Sequence, residues 1–234
     1  MKTTLLVLTL NEIEGMKAIM PRVDRTWCDQ IIVLDGGSVD GTIEYAKENG
    51  YFVYVQRAPG IRNAYKEVLP YVEGDVIVTF SPDGNCIPEL IPALIDKMRE
   101  GYDMVIGSRY LGGARSEDDD PVTALGNWLF TQTVNVLHGG RYTDVMNIFR
   151  AYKTQLIYDL GLDKDDPYST AERIFRTTIS WEPLLSVRAA KRKLKVTEIP
   201  ADEPPRLGGV RKLQVFRWGG AYYFQFIREK FCGC

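Results

Sequence analysis

The sequence predicts an α/β protein built on a mostly parallel sheet flanked by helices on both faces. Two observations carry this. Short unbroken runs of branched and aromatic apolar residues recur through the N-terminal half, and each is followed by a longer stretch with helical periodicity. The runs also lack the apolar–polar alternation of a strand with one wet face. They therefore belong in a sheet covered on both sides, as parallel strands joined by helical crossovers are.

Residues 4–9 (TLLVLT) read as a fully buried strand, followed by 31–35 (IIVLD), 51–55 (YFVYV), 75–80 (DVIVTF) and 103–107 (DMVIG). Helical stretches fall between them at roughly 11–20, 40–48, 61–72 and 87–100. The 234 residues suffice for one sizeable core, and 45% apolar with 26% charged content is that of a soluble globular protein. A net charge of −2 excludes a dedicated nucleic-acid binder. Solvated surface is the simplest reading of the basic run 188–195 (RAAKRKLK) and of the acidic run Glu117-Asp118-Asp119-Asp120.

Cys28, Cys86, Cys232 and Cys234 have no zinc spacing and read as reduced thiols of a cytosolic protein. The opening MKTTLLVLTLNE has too short an apolar run for a signal peptide, and no stretch approaches the ~20 residues of a membrane span. The expected place is the cytoplasm, with contact at the cytoplasmic membrane surface left open.

In parallel sheets ligands bind at the carboxyl ends of strands. Those ends carry Thr9-Leu10-Asn11-Glu12, then Asp35-Gly36-Gly37-Ser38 with Asp40-Gly41-Thr42, then Ser81-Pro82-Asp83-Gly84-Asn85, then Gly107-Ser108-Arg109-Tyr110. Each alone has a structural explanation. Ser38 or Asp40 can cap a helix, the glycines can serve the turn, and Asp83 can form an Asx-turn. On one edge of one sheet, they surround one crevice with polar groups.

These segments resemble the nucleotide-sugar half of family 2 glycosyltransferases of the GT-A fold, closest to the dolichyl- and polyprenyl-phosphate sugar synthases. Ser81-Pro82-Asp83 lies at their Asp-x-Asp position, with Pro88-Glu89 after it. Gly107-Ser108-Arg109-Tyr110, Asp144 with Phe149-Arg150-Ala151-Tyr152, and Glu198-Ile199-Pro200 match further segments. So do Arg206, Gly209 and Lys212-Leu213, with Arg211 where serine is usual. The resemblance implies a domain over 1–200, with a nucleotide-sugar half at 1–110 and an acceptor half at 111–200. Residues 201–234 then form an aromatic and basic segment, packed on the domain, at the membrane surface, or in a homodimer seam.

The implied activity is inverting transfer of a sugar from a GDP- or UDP-sugar to an acceptor, a polyprenyl phosphate in the closest subgroup. A glycan hydroxyl is the alternative acceptor, and a non-catalytic nucleotide-sugar-binding module the alternative class. A sugar-phosphate nucleotidyltransferase is excluded because no glycine-rich loop follows the first strand. The resemblance makes Asp35 the base-binding carboxylate, with Thr9, Asn11, Glu12, Gly37, Ser38 and Ser81 around the nucleotide. Arg62 opens a helix and either faces phosphate or is a solvated first-turn residue.

Asp83 and Asn85 are the expected ligands of Mg²⁺ or Mn²⁺, which prefer hard oxygen donors. Ser81 replaces the usual first aspartate and is a poor ligand, so a differently balanced metal site is expected. Arg109, Arg206 and Lys212 are the candidate phosphate clamps. Glu182 either serves as a general base toward a hydroxyl or simply begins a helix. A lipid phosphate needs no base, and His138, the single histidine, is not expected to be one. Gly112-Gly113-Ala114-Arg115 reads as a mobile lid.

Overall fold

Every residue of β1 (Thr3–Thr9) is buried, because the strand runs through the middle of the sheet with a hydrophobic layer on each face. The computed structural model describes residues 1–207 and 215–231. The chain continues through α1 (Ile13–Ile19), β2 (Gln30–Asp35), α2 (Thr42–Glu48), β3 (Phe52–Val55), α3 (Ile61–Val68), β4 (Val76–Phe80), α4 (Ile91–Arg99) and β5 (Met104–Ser108). After it come α5 (Pro121–His138), β6 (Arg150–Lys153), α6 (Leu156–Asp159), α7 (Asp166–Phe175), α8 (Glu182–Lys191), β7 (Val196–Pro200) and α9 (Val215–Phe231).

The seven strands lie in the order β3-β2-β1-β4-β6-β5-β7. β1, β2, β3 and β4 are mutually parallel, and β5 is parallel to β7. The exception is β6, which lies antiparallel between β4 and β5. The sequence reading placed strands at all five N-terminal runs and missed β6, a four-residue strand (RAYK) with no apolar run to announce it.

Side chains alternate with the pleat. Leu6 and Leu8 join Ile32, Leu34 and Tyr65 in one core, while Leu5 and Val7 join Met16, Val33 and Leu94 in the other. The register sets Thr9 opposite Asp35 and Val7 opposite Phe80, so the exits of β1, β2 and β4 open side by side.

α5 begins with a capping box. Asp120 accepts from the amides of Val122 and Thr123, and the Thr123 hydroxyl answers the Asp120 amide. Asp119 accepts from the Tyr110 hydroxyl and from Asn127. Asp119 and Asp120 therefore have structural partners, although Glu117 and Asp120 are exposed as the solvated-surface reading expects. In the basic run Arg192, Lys193 and Lys195 are exposed, as expected, and Arg188 is the exception. Arg188 is buried and binds Glu229 of α9 through both carboxylate oxygens, at 3.0 and 2.7 Å. With Ala221 and Phe226 fully buried, this pair holds α9 against the domain.

Glu229→Ala strands Arg188 inside the protein. We expect a loss of about 3–5 kcal/mol in urea unfolding, with Glu229→Gln costing less. An unfolding midpoint unchanged in Glu229→Ala would mean that the pair does not anchor α9.

Candidate active site

Asp35 is fully buried at the end of β2. Its Oδ1 accepts from the Gly37 and Ser38 amides at 2.8 and 2.7 Å, and its Oδ2 from the hydroxyls of Thr9 and Ser38, both at 2.7 Å. Ser38 Oγ in turn accepts from the Asn11 amide, and Asn11 Oδ1 from the Val39 amide. Thus Thr9, Asn11, Asp35, Gly37 and Ser38 are brought together, but as one interlocked pair of loops. The sequence reading aimed Asp35 at the base. Here its carboxylate builds the wall that a base would meet. Asp40 does similar work one turn later. Burial opposes its charge, but hydrogen bonds from Thr42 and the Ile13 amide hold its carboxyl below the usual range.

The turn after β4 faces this wall. Gly15 of α1 packs so closely on it that a Cβ would lie 2.1 Å from the Pro82 carbonyl oxygen. Asp83 is buried, with Oδ1 accepting from the Asn85 amide at 3.1 Å and Oδ2 from Arg206 Nη1 at 2.7 Å. Asn85 Nδ2 donates to Asp118 at 3.1 Å, and its Oδ1 is a buried atom with no hydrogen-bond partner. Among the described residues no cluster of three His, Cys, Asp or Glu side chains gathers at one point. The oxygen donors at this turn are Asp83, Asn85 and, from the acidic run, Asp118.

The predicted cations are placed differently from expectation. Arg62 is buried, paired with Asp165 at 2.6 Å and Glu172 at 2.8 Å and stacked over the Tyr168 ring. It faces α7, neither phosphate nor solvent, which corrects both readings of it. Arg109 lines the crevice, but its Nε and Nη2 bind Asp144 at 2.7 and 3.0 Å, and Nη1 lies 3.4 Å from Glu203. Burial works against its charge, yet Asp144 keeps it well above the ordinary arginine range. Arg206 is engaged by Asp83. Lys212, Gly209, Arg211, Cys232 and Cys234 lie outside the described residues.

Cys28 and Cys86 are free thiols, and burial pushes Cys28 up to about 11, so neither is a reactive thiolate. The Gly112–Arg115 segment is pinned at its end, where the Arg115 amide meets Asp202 at 2.8 Å and Glu203 pairs with both Arg115 and Glu117. This corrects the mobile-lid reading for that end. His138 is buried with Nε2 3.0 Å from the Phe226 carbonyl, away from the crevice.

The crevice is a cleft of about 930 Å³. At the strand exits its lining includes the polar groups of Thr9, Glu12, Ser81 and Asp83 beside Leu8, Leu10 and Leu34. The far wall is Val122, Gly126, Phe130, Trp218, Gly219 and Tyr222 from α5 and α9. Glu182 lies between, almost fully buried, its carboxylate accepting from the hydroxyls of Tyr65 and Ser180. Arg176 and Arg217 are exposed at the cleft and were not foreseen. Arg176 caps α7 in the left-handed conformation (φ 50°), a position that sequence spacing does not announce.

Residues 9–161 match the family model of glycosyl transferase family 2. The chain belongs to glycosyl transferase family 2. It is 26% identical over 223 residues to glycosyltransferase AglJ of Haloferax volcanii, covering 94% of this chain and 69% of that one. It is 28% identical over 214 residues to a dolichyl-phosphate hexose transferase of the same organism, covering 91% and 87%. It is also 28% identical over 240 residues to the dolichol-phosphate mannosyltransferase of Pyrococcus furiosus, spanning 98% of this chain but only 62% of that protein.

Among solved structures, Mycobacterium tuberculosis glucosyl-3-phosphoglycerate synthase in complex with Mn²⁺, UDP and glucosyl-3-phosphoglycerate superposes with a TM-score of 0.63. The sequences are 22% identical, with 98% of this chain and 79% of that one covered. That likeness is one of fold, and the fold of this glycosyltransferase is GT-A.

Two substitutions test the placement of charged groups in this family 2 enzyme. Asp35→Asn puts an amide donor among four existing donors. It should cost about 2–3 kcal/mol of stability and weaken nucleotide binding through loss of loop order. A variant as stable as the native protein would show that the carboxylate does not hold the loops. Arg62→Met should lower stability by about 3 kcal/mol yet change the nucleotide dissociation constant less than about twofold, measured by urea unfolding and titration calorimetry. Lost nucleotide affinity with stability intact would restore Arg62 to the phosphate site.

Proposed function

We propose that this glycosyltransferase moves a hexose, with inversion, from a GDP- or UDP-sugar to a polyprenyl phosphate presented at a membrane surface. The observation that carries this reading is the mixed lining of the cleft, which joins polar groups at the strand exits to apolar side chains of α5 and α9. The polar groups suit a nucleoside diphosphate. The apolar wall continues onto side chains that face outward, Val122, Leu125, Trp128 and Leu129 of α5 and Phe216 of α9. A ligand with an anionic head and an isoprenoid tail matches both halves, and apolar side chains beside arginines suit the headgroup boundary of a bilayer. No helix among the described residues is long and apolar enough to cross a membrane. The similarity to the dolichyl-phosphate hexose transferase supports the same reading.

The chain's own groups account for the steps. The loops tied by Asp35 form the wall against which base and ribose lie. The acceptor phosphate oxygen attacks the anomeric carbon from the face opposite the diphosphate. It is already anionic, so no side chain has to remove a proton. Arg176 and Arg217 are placed to hold that phosphate, and a guanidinium engages two of its oxygens at once. Phe130, Trp218 and Tyr222 take the first isoprenoid units.

We also propose that Mg²⁺ or Mn²⁺ is held by Asp83 and Asn85. Hard oxygens make up the donor set, and the unpartnered Asn85 Oδ1 fits a role as ligand. Bound there, the ion supplies the positive charge that stabilises the leaving diphosphate.

The test is sugar transfer from a panel of GDP- and UDP-hexoses to a short-chain polyprenyl phosphate. The native protein should transfer, and Glu182→Gln should keep its rate within about threefold. Arg176→Ala should raise the KM for the lipid about tenfold, as loss of one exposed phosphate contact would. A native protein inactive on the lipid phosphate but active on a sugar hydroxyl would overturn the acceptor reading. In that case Glu182→Gln should slow the reaction by ~10²–10⁴.

A further inference from the structure

Arg206 bridges two of the carboxylates that a divalent cation at this turn would draw on. Its Nη1 is 2.7 Å from Asp83 Oδ2, and its Nη2 is 3.8 Å from Asp118 Oδ2, so one guanidinium bridges two carboxylates 35 residues apart in sequence. Asn85 donates to the same Asp118 oxygen, which fixes its amide and leaves Oδ1 unmatched. Arg206 Nε is also a buried atom without a hydrogen-bond partner. The closed arrangement thus leaves one buried acceptor and one buried donor unsatisfied, each of which costs free energy.

The backbone closes the same contact. The Leu207 amide donates to the Asp83 carbonyl at 2.7 Å. Leu207 lies so close over Gly84 (φ 96°) that a Cβ there would come within 2.7 Å of Leu207 Cγ. A short strap, residues 202–207, is thereby latched at one end to the Asp83 turn. At its other end it is held by Arg115, Ser116 and Glu117, through Asp202 and Glu203.

We propose that Arg206 is the resident cation of the metal site: it neutralises Asp83 and Asp118 in the resting enzyme, the divalent ion displaces it, and that displacement unlatches Arg206 and Leu207 from the Asp83 turn. An ion ligated by both Asp83 and Asp118 takes the oxygens that the Arg206 guanidinium bridges, and the +2 and +1 charges repel, so the two occupancies compete. Asp118 also supplies the second carboxylate that Ser81 does not. This inference rests on the metal-dependent reading above.

The experiment measures Mn²⁺ binding to the full chain by the paramagnetic resonance signal of the free ion, with and without GDP or UDP. It compares the native protein with Arg206→Gln, Arg206→Lys and Asp118→Asn, and melting curves establish that each is folded. Arg206→Gln should bind Mn²⁺ about tenfold more tightly, as expected when the ion no longer has to displace a group that closes the site about nine-tenths of the time. Arg206→Lys should stay near native affinity, and Asp118→Asn should bind more weakly. In the native protein Mn²⁺ should speed amide exchange in the peptide carrying Leu207, and in Arg206→Gln that exchange should be fast from the start. Equal or weaker Mn²⁺ binding by Arg206→Gln, beside a native protein that binds, would overturn the latch and leave the metal reading standing. No Mn²⁺ binding by either protein, even with nucleoside diphosphate present, would overturn both.

Discussion

Asp35 ends β2 with its carboxylate out of reach of water. A buried charge of that kind persists only if donors surround it. The donors come from both sides of the crevice: Thr9 at the end of β1, and Gly37 and Ser38 in the loop after β2. Removing the carboxylate takes away the centre on which Thr9, Gly37 and Ser38 converge and leaves the loops joined through contacts such as those of Asn11 with Ser38 and Val39. The donor wall is therefore a product of electrostatics inside the protein before any ligand arrives. Its geometry is preformed, which spares the ligand the cost of ordering two loops.

The region around Arg109 is organised by the same physics with the signs exchanged. Arg109 is buried and Asp144 meets it through both oxygens. Asp144 is itself held by Glu198, which accepts from the amides of Thr143 and Asp144. Arg150, fully buried in β6, reaches the carbonyls of Val145 and Glu182 and the hydroxyl of Ser186. These contacts tie the strand ends to α8, and α8 carries Glu182 to the middle of the cleft. Charged side chains with the residue types of phosphate binders thus serve as internal struts. Among the described residues the exposed cations at the cleft, Arg176 and Arg217, come from elements with no motif of their own.

Much of the fold was legible because burial on both faces leaves an unmistakable pattern. Residues 4–9 and 76–80 cannot sit anywhere but inside a sheet. β6 was not legible, because a four-residue strand that begins with an arginine and ends with a lysine looks polar until its partners are known. The site divides likewise. Asp83 and Asp35 could be found, since glycine and proline turns at strand exits mark them. The partner of each could not. Arg206 lies 123 residues from Asp83, and Arg62 lies 110 residues from Glu172. Whether an arginine faces a ligand or a carboxylate of its own chain depends on contacts that local sequence does not encode. The acidic run misled in part for the same reason: Asp118, Asp119 and Asp120 each have a specific structural task.

β6 also bears on how this chain is made. In the sheet it lies between β4 and the β5–β7 pair, with Val78 opposite Ala151 on one side and Val105 opposite Ala151 on the other. Until residues 150–153 have been synthesised, β4 presents an unpaired hydrophobic edge and β5 has nothing to join. The first 110 residues therefore emerge from the ribosome as an unfinished sheet with an open seam. Such edges template pairing with other chains, and distant partners make closure slow. The late, short, inconspicuous strand is thus a timing element in biosynthesis. Chaperone demand should be greatest while the chain between β5 and β6 is still being translated.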